Sequence, residues 1–243
     1  STARITPMKA RQYAAGIYAR LPYDIRWSVE GFYKTMDNLI EYDGNSGMLN
    51  PMADRWEEEV RTGKGKAYGM ETDIRYTNGK TSVDASYTLS WSKRFFPDFH
   101  SSWYPDKFDN RHRFSVNISH KFNERIDVYA SWNYHSGNRM TIPTQLVDAP
   151  VIPGVEKVNE GMMIYEMPNN VSLPPYHRLD LGINFRKTTK RGFERIWNIS
   201  LYNAYCRMNP LYATVQQNPD GTFVGKAHGV FPIIPSFSYT LKF

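Results

Sequence analysis

The sequence has a single cysteine and no long apolar run. Cys206, alone among 243 residues, excludes an internal disulfide framework and a cysteine-based zinc site. No stretch of about 18 apolar residues occurs, and the mean hydropathy is −0.58, which excludes helical membrane spans. Residues 1–30 also lack an apolar core of signal-peptide length, so either the protein is cytoplasmic or its front end has been removed.

A concentrated charge of one sign is absent as well. Lys and Arg total 30 against 24 Asp and Glu, and the basic residues are scattered singly along the chain. The densest basic cluster, residues 187–191, falls where a turn is expected, so we predict no nucleic-acid partner. The 17 Tyr, 13 Phe and 6 Trp instead indicate an ordered chain that favours strands.

Apolar and polar residues alternate with a period of two along most of the chain. Between Val83 and Trp91 the odd positions are Val, Ala, Tyr, Leu and Trp, and the even positions are Asp, Ser, Thr and Ser. This period is typical of a β-strand and not of a helix. The pattern predicts nine strands, near 10–20, 25–40, 66–77, 81–93, 110–122, 125–136, 176–187, 195–217 and 223–243.

Short and long connections alternate between these strands. Turns are predicted at 22–24, 78–79 and 123–124, and the Asn-Gly pair at 78–79 suits a type I′ hairpin because both central residues need a positive φ. The long polar or irregular stretches are 43–65, 95–109 and 137–175. We therefore expect an antiparallel meander with tight turns at one end and long loops at the other.

The length and polarity of the strands indicate a transmembrane barrel. A tilted strand needs about ten residues to cross an apolar band of about 25 Å, whereas soluble strands usually have about five or six. A soluble barrel of this size would fill its interior with apolar side chains, but here one face of almost every strand carries Arg, Asp, Asn or Ser. We therefore predict an all-β, antiparallel up-and-down transmembrane β-barrel with its apolar face towards lipid.

Aromatic residues recur at the strand ends, as in the two interfacial girdles of a membrane barrel. They are Tyr76, Phe122, Phe185 and Phe243 towards the short turns, and Trp91 and Tyr134 towards the long loops. His120 and Asn203 fit a lipid-facing position poorly, so we expect them near a rim or outside the assumed register.

The strand count indicates that further strands complete the barrel. The first and ninth strands both run towards the short-turn end, so closing one on the other would pair them in parallel, whereas bacterial single-chain barrels are antiparallel with even strand numbers. An unclosed barrel would expose unpaired backbone groups to lipid. We expect residues 1–243 to be the carboxyl-terminal part of a larger barrel whose signal peptide, plug and first strands lie outside them.

An ordered set of short motifs resembles the carboxyl-terminal barrel of a TonB-dependent outer-membrane receptor of the Bacteroidetes type. The resemblance covers nearly the whole chain, and only the order of the motifs makes it specific. The motifs are Phe32–Lys34, Asp37–Tyr42, Gly65–Glu71, Tyr87–Ser92, Trp103–Pro105, Asp109–His112, Leu173–Asp180, Ile199–Tyr205, Pro232–Tyr239 and the terminal Phe243.

The resemblance implies a 22-stranded barrel in the outer membrane of a Gram-negative bacterium, of which this chain would supply the last nine strands. It implies an active transporter that binds and imports a scarce nutrient: siderophore-bound iron, a cobalamin-like compound, a peptide or a glycan. The expected partners are outer-membrane lipid, the plug and the remaining strands, the TonB complex through the missing amino-terminal part, and the barrel-insertion machinery through the Phe243 strand. A surface lipoprotein is a further candidate partner.

The long loops and the polar face hold the candidate substrate-binding residues, because rigid barrels carry recognition in their loops. Aromatic side chains of the loop at 95–109 can stack against a sugar, a peptide side chain or a siderophore, and packing of one loop on another is the alternative. The candidates are Phe95, Phe96, Trp103, Tyr104, Asp106, His135, Arg139, Glu160, Met162 and Tyr165.

No catalytic residue, metal site or cofactor is predicted. The acidic and histidine residues between Asp98 and His112 lack a fixed spacing and alternate with aromatic residues, which favours an ordered aromatic loop over a metal site. His135 is either a pH-sensitive contact or a hydrogen-bonded residue of the wall. Two other classes of function stay open: an outer-membrane barrel enzyme such as a lipase or protease, and a soluble β-rich carbohydrate-binding module.

Overall fold

The computed structural model describes residues 6–42, 60–147, 162–190, 192–219, 221–229 and 231–243. Within these ranges the regular structure is all-β apart from one 3₁₀ turn at Pro22–Asp24. The strands are β1 (Lys9–Leu21), β2 (Ile25–Tyr42), β3 (Val60–Asn78), β4 (Thr81–Phe95), β5 (Tyr104–Pro105), β6 (His112–Lys121), β7 (Ile126–His135), β8 (Arg139–Met140), β9 (Gln145–Val147), β10 (Met162–Ile164), β11 (Val171–Ser172), β12 (Tyr176–Thr188), β13 (Glu194–Tyr202), β14 (Pro210–Gln217), β15 (Phe223–Gly229) and β16 (Ile234–Lys242). The described residues include no helix that is long and apolar enough to span a membrane.

Nine of these strands form one antiparallel meander. Their order in the sheet is β1-β2-β3-β4-β6-β7-β12-β13-β16, and the short β5 adds to β4 at the long-loop end. Three small pairs lie outside this sheet: β8 with β11, β9 with β10, and β14 with β15. The predicted all-β antiparallel meander is confirmed, with tight turns at one end and long loops at the other.

The predicted extents of two strands, 195–217 and 223–243, are wrong. β13 ends at Tyr202, because Asn203 has a positive φ of 55° and turns the chain out of the sheet. β14 and β15 then pair with each other, and β16 begins at Ile234, just after Pro232. The alternation at 210–217 did mark a strand, but a period of two does not identify a strand's partner.

A bulge in β2 exchanges the faces of its last residues. Met36 pairs with Gly65 and Leu39 pairs with Gly63, so β2 uses three residues where β3 uses two. Asn38 within the bulge has a φ of 56°, and its Nδ2 donates to the carbonyl oxygen of Pro7 over 3.1 Å. Because of the extra residue, Glu41 lies on the same face as Met36.

The apolar face of the meander does not enclose a dry core. Ile118 is 42% exposed and Leu181 is 38% exposed, although both lie in the middle of their strands. Among the described residues, the buried hydrophobic side chains are Val60, Phe96, Tyr104 and Ile142, all at the long-loop end. This exposure fits a sheet whose apolar face meets lipid, so we call that face the outer face and the polar face the inner face.

Aromatic and histidine rings stand at two levels of the outer face. In three strands the two levels are eight residues apart: Tyr68 and Tyr76, Phe114 and Phe122, and His177 and Phe185. Eight residues of a tilted strand cover a height of about 20 Å, close to the apolar band of a membrane barrel. His120 lies beside the short turn after β3, where its Nδ1 is 2.8 Å from Thr81 Oγ1, so its expected place near a rim is confirmed.

Candidate functional site

The inner face is a hydrogen-bonded polar wall. Asn184 Nδ2 donates to Asp127 Oδ2 over 2.8 Å, and Asn198 Nδ2 donates to Asn184 Oδ1 over 2.8 Å, which links β7, β12 and β13. Asn198 also donates to the hydroxyl of Tyr129, whose ring lies over Gly182 where a Cβ would clash with it. The wall can therefore present amides, hydroxyls and carboxylates to a solute or to a protein segment inside the barrel.

Ion pairs extend the same wall. Arg75 contacts Asp84 between β3 and β4, and Arg186 Nε lies 3.0 Å from Asp127 Oδ1. Near the long loops, Arg178 Nη2 lies 2.8 Å from Asp180 Oδ2, and its guanidinium carbon is 4.1 Å from the ring centre of Tyr202. These ion pairs neutralise part of the charge along the wall, and Glu30 and Glu71, which pair directly across the ladder between β2 and β3, add negative charge to it.

The segment from 96 to 111 is fastened to the inner face by Arg94. Arg94 Nε donates to Asp106 Oδ2 over 2.6 Å, and Arg94 Nη1 donates to Glu41 Oε2 over 3.2 Å. The side chain of Asp106 is only 12% exposed, and its other oxygen accepts the backbone N–H of Phe108. One guanidinium thus joins the end of β4, the bulged end of β2 and the loop between β4 and β6.

Asp109 makes a second attachment of this loop. Its Oδ1 accepts the backbone N–H of Ser92 over 2.7 Å. Its Oδ2 lies 3.2 Å from Arg111 Nη2 and 3.4 Å from Arg139 Nε. Asp109 therefore connects its own loop to β4 and to the beginning of the next long loop.

Hydrophobic packing completes the loop. Phe96 is 0% exposed and stacks against Phe99, and a Cβ on Gly63 would lie 2.6 Å from the Phe96 ring. Tyr104 is 1% exposed, and its hydroxyl has no hydrogen-bond partner. This burial, reinforced by the charges of Glu41 and Asp106 against the opposing effect of Arg94, raises the pKa of Tyr104 to about 12.

Asparagine side chains join the two long loops. Asn110 Nδ2 donates to the carbonyl oxygen of Ser136 and to Asn138 Oδ1, both over 2.8 Å. Asn169 Nδ2 donates to the carbonyl oxygen of Pro105 over 2.9 Å, and Asn170 exchanges two hydrogen bonds with the backbone of Ile142. The sequence analysis missed these residues, although short polar side chains in a long irregular stretch commonly satisfy its backbone groups.

Asn203 fastens the connection that follows β13. It is 0% exposed, its Nδ2 donates to the carbonyl oxygens of Arg207 and Phe231, and its Oδ1 accepts the backbone N–H of Arg207. Asp180 Oδ1 accepts the backbone N–H of Asn203 over 2.9 Å. Asn203 therefore lies outside the lipid-facing register, as the polar side chain suggested.

The predicted binding residues fall into three settings. Phe96, Tyr104 and Asp106 are buried within the fastened loop. The rings of Phe95 and Trp103 pack at a tilt on the outer face with their centres 5.6 Å apart, and Lys66 Nζ lies 4.2 Å from the centre of the Trp103 ring. The structure thus separates the aromatic cluster of this loop, which the sequence analysis treated as one group.

The third setting is the inner face and the loop above it. His135 lies on the inner face, stacks on Tyr176 at 4.9 Å, and its Nδ1 is 2.8 Å from the carbonyl oxygen of Ser136. Arg139 belongs to the Asp109 attachment, and Tyr165 is 52% exposed. Glu160 lies outside the described residues, and Met162 is described only as a backbone residue of β10. The binding role of all ten candidates stays a prediction.

The metal-site alternative gains no support. Among the described residues, no group of three or more His, Cys, Asp or Glu side chains lies close enough to hold a metal ion. In the aromatic loop, Asp106 and Asp109 are engaged by arginines, and His100 Nδ1 lies 3.1 Å from Ser102 Oγ.

Comparison with known families identifies the barrel. The family model described as TonB dependent receptor-like, beta-barrel matches residues 2–205. The chain belongs to this family. Its strands therefore lie in the outer membrane. Bacterial outer-membrane barrels generally have short periplasmic turns and longer extracellular loops. The family is one of receptors and transporters and not of enzymes, whereas the Bacteroidetes type stays a prediction.

Solved structures of other receptors and transporters share the fold. The ferripyoverdine receptor of the outer membrane of Pseudomonas aeruginosa has a TM-score of 0.59 at 16% identity, over 97% of this chain and 27% of that one. The ferric-catecholate import receptor Fiu from Escherichia coli K12 has a TM-score of 0.56 at 14% identity, over 98% and 28%. The outer membrane transporter YddB from Escherichia coli has a TM-score of 0.57 at 10% identity, over 98% and 32%.

The chain thus spans between 27% and 32% of the length of these receptors. A comparison with curated proteins gave no match. At these identities the solved structures show the shared fold alone.

Proposed function

We propose that the chain forms wall and extracellular loops of a TonB-dependent active transporter that binds and imports a scarce nutrient. The observation that carries the proposal is the polar inner face, which is hydrogen-bonded from strand to strand and lies beneath loops fastened by Arg94 and Asp109. A wall of this kind suits a barrel with a hydrated or plugged lumen. An apolar packed interior would have no room for a solute.

Rigid loops above a polar lumen support substrate capture at the extracellular end. The candidate contacts on this side are His135, Arg139 and Tyr165, together with Glu160 and Met162. Phe95, Phe96, Trp103, Tyr104 and Asp106 would contribute by shaping the rim. Preorganised loops favour binding because little conformational entropy is lost when the solute arrives.

The proposed substrates are siderophore-bound iron, a cobalamin-like compound, a peptide or a glycan. Ferric siderophores come first, because two of the similar structures are a ferric-catecholate import receptor and a ferripyoverdine receptor bound to ferripyoverdine.

The proposed partners are those expected of a barrel of this family. The strands would complete a 22-stranded barrel around a plug, TonB would act through a segment amino-terminal to this chain, and the insertion machinery would engage the Phe243 strand. Outer-membrane lipid would surround the outer face, and a surface lipoprotein is a further proposed partner.

Uptake by cells with and without the full-length gene tests this function. We expect deletion to abolish uptake of one labelled solute from a panel of ferric siderophores, cobalamin, peptides and glycans, and a proton ionophore to have the same effect. Uptake that persists after deletion, or that needs no proton gradient, would contradict the proposal. So would hydrolysis of lipid or peptide by the purified protein that is lost in His135→Ala or Asp106→Ala, which would favour an enzyme.

A matched pair of histidines tests the site. His135 lies on the inner face and His177 on the outer face of the neighbouring strand. We expect His135→Gln to weaken solute binding about tenfold, equivalent to about 1.4 kcal/mol, and His177→Gln to leave binding unchanged. Equal effects of the two variants would remove His135 from the proposed site.

A further inference from the structure

A continuous row of aromatic rings crosses four strands on the outer face. Tyr13 pairs with Tyr33, Tyr33 with Tyr68 and Tyr68 with Trp91, each directly across its ladder. The ring centres of Tyr33 and Tyr68 are 6.2 Å apart, and those of Tyr68 and Trp91 are 5.5 Å apart. Such a row marks the boundary between hydrocarbon and headgroups, here on the extracellular side.

A cationic row lies directly above the aromatic row. Arg11 pairs with Thr35, Thr35 with Lys66 and Lys66 with Lys93, two residues nearer the long loops in each strand. Four strands cover a width of about 14 Å at a spacing of about 4.8 Å. The outer face therefore changes from apolar to aromatic to cationic within a few residues.

The two lysines of this row oppose each other without a counter-charge. Like charges directly across a ladder are destabilising. Among the described residues no carboxylate forms an ion pair with Lys66, Lys93 or Arg11. Glu41, Asp106 and Asp109 are engaged with arginines, and Asp37 lies across the ladder from Lys9. The row therefore carries positive charge that no described carboxylate neutralises, and an anion would stabilise it.

One further cation and one ion-paired arginine lie beside the patch. Lys64 lies two residues before Lys66 on the outer side of β3 and is exposed, and Arg111 is paired with Asp109. The Arg111 guanidinium carbon is 4.7 Å from the ring centre of Trp91, and Lys66 Nζ lies over Trp103. A cation over an aromatic face at the membrane boundary is held near the headgroup level.

A shallow, open apolar groove includes the rings of the aromatic row and extends below them. It has a volume of about 580 Å³, and its floor contains the small residues Ala15 and Gly31, with Met70 and Leu89 beside them. A Cβ on Gly31 would have only the carbonyl oxygen of Gly69 within reach, at 3.9 Å. The groove therefore has room for a flexible apolar chain lying along the barrel wall.

We infer that this surface binds a phosphate-bearing lipid of the outer leaflet, with its phosphate on the row Arg11–Lys66–Lys93 and an acyl chain in the groove at Ala15 and Gly31. A cluster of Lys and Arg beside the hydrocarbon boundary attracts anionic headgroups. The groove below it adds an apolar contact that a free anion would not use. The inference rests on the outer-membrane location of the barrel and is independent of the solute that the barrel transports.

Binding of a phosphorylated glycolipid by the full-length protein tests the inference. The protein, purified in a nonionic detergent, is titrated with diphosphoryl lipid A, with the same lipid after dephosphorylation, and with phosphatidylcholine, using native mass spectrometry. We expect diphosphoryl lipid A to bind most tightly, and Lys66→Gln/Lys93→Gln to weaken it about tenfold because two headgroup contacts are lost. Inorganic phosphate at the same concentration should not displace the lipid.

Two other variants separate charge from groove. Gly31→Leu fills the groove without changing any charge, and we expect it also to weaken lipid binding. Lys107→Gln/Lys226→Gln removes the same charge from exposed positions in the extracellular segments, and we expect binding within about twofold of the unchanged protein. Each variant is first shown to be a folded barrel by its gel mobility without heating, and Gly31→Leu serves alone if the double lysine variant fails to fold.

The inference is overturned by any of four results. The first is that the lysine variant, or Gly31→Leu where that serves alone, binds diphosphoryl lipid A as well as the unchanged protein does. The second is that the dephosphorylated lipid binds equally well, which would leave only an apolar site, and the third is that inorganic phosphate displaces the lipid, which would leave only a free-anion site. The fourth is that a protein partner copurifies on this surface and excludes the lipid.

Discussion

Tyr104 is a buried phenol whose hydroxyl contributes no hydrogen bond. The ring fills space beneath the loop, while the hydroxyl lies near Glu41 and Asp106 without a partner. A buried polar group without a hydrogen-bond partner destabilises the folded state, and a phenylalanine ring in the same place would avoid this cost. The residue therefore stabilises the loop by its ring and weakens it by its oxygen.

Tyr104→Phe is expected to leave the stability unchanged or to raise it by up to about 1 kcal/mol. The pKa of Tyr104 rises from 10.0 to about 12, so between these values the unfolded residue has lost its proton and the folded one has kept it. The stability contributed by the raised pKa is present below pH 10 and is lost as the pH rises towards 12.

Ultraviolet difference titration of phenolate checks this prediction. Burial raises the pKa of Tyr176 as well, so the late ionisation of the unchanged protein should shrink by one tyrosine in Tyr104→Phe and should keep its full size in Tyr165→Phe, which removes an exposed tyrosine. A late ionisation of unchanged size in Tyr104→Phe would show that Tyr104 is not among the late-ionising residues.

The roles of some single residues could be predicted from the sequence, and those of others could not. Asp106 was recognised as part of the long loop, but its pairing with Arg94 depends on a contact over 12 positions that no short pattern encodes. Asn203 was recognised only as a poor fit to lipid, because a positive φ is a property of the folded chain. The polar face, in contrast, follows directly from the alternation.

At the scale of elements, one arginine connects three segments that are distant in sequence. Arg94 lies at the end of β4, Glu41 at the end of β2, and Asp106 in the loop that follows β4. Because Asp106 is nearly buried, removal of the guanidinium would leave a carboxylate without its charged partner.

Arg94→Gln is expected to free the loop. The free energy of unfolding should fall by about 2 kcal/mol. This is less than the about 3–5 kcal/mol lost when a fully buried ion pair is broken, because the Arg94 side chain is 29% exposed. Amide hydrogen exchange in the full-length protein should then rise at the N–H groups of residues 106 and 109, which are protected by Ser92 and Asp106 carbonyls.

Arg75→Gln is the matched control for this prediction. Arg75 pairs with Asp84 on the same inner face, but its side chain is 65% exposed and no loop depends on it. Its removal should leave exchange in the loop unchanged. Equal exchange in the two variants would mean that Arg94 does not hold the loop.

Most elements were predictable because a strand that faces two solvents must alternate. The first seven predicted strands coincide with β1, β2, β3, β4, β6, β7 and β12 to within a few residues at most ends. The separate hairpin of β14 and β15 was not predictable, because its apolar and polar residues alternate just as they do in the main sheet. Only the turn at Asn203 takes these residues out of that sheet.

At the scale of the whole molecule, two adjacent residues can face two different solvents. Ile118 and Asn117 are both exposed in this chain, although one is apolar and the other polar. Their exposure alone therefore does not tell lipid from lumen, and the assignment rests on the polarity of each face and on the family.

Spin labels at these two positions test the assignment in the full-length protein. In a background with Cys206 and any other cysteine replaced by serine, Ile118→Cys should carry a nitroxide that collides often with oxygen, which concentrates in hydrocarbon. Asn117→Cys should show fewer collisions with oxygen. Higher oxygen accessibility at position 117 than at 118 would invert the faces and contradict the barrel orientation.

The bulge in β2 has a consequence for how charge is distributed around the mouth of the barrel. If the same residues continued as a regular strand without the bulge, Glu41 would fall on the outer face, in the headgroup layer beside the lysines of β3 and β4. Arg94 would then lose one of its two carboxylates. The bulge thus keeps the Glu41 carboxylate inside the mouth of the barrel and away from those lysines.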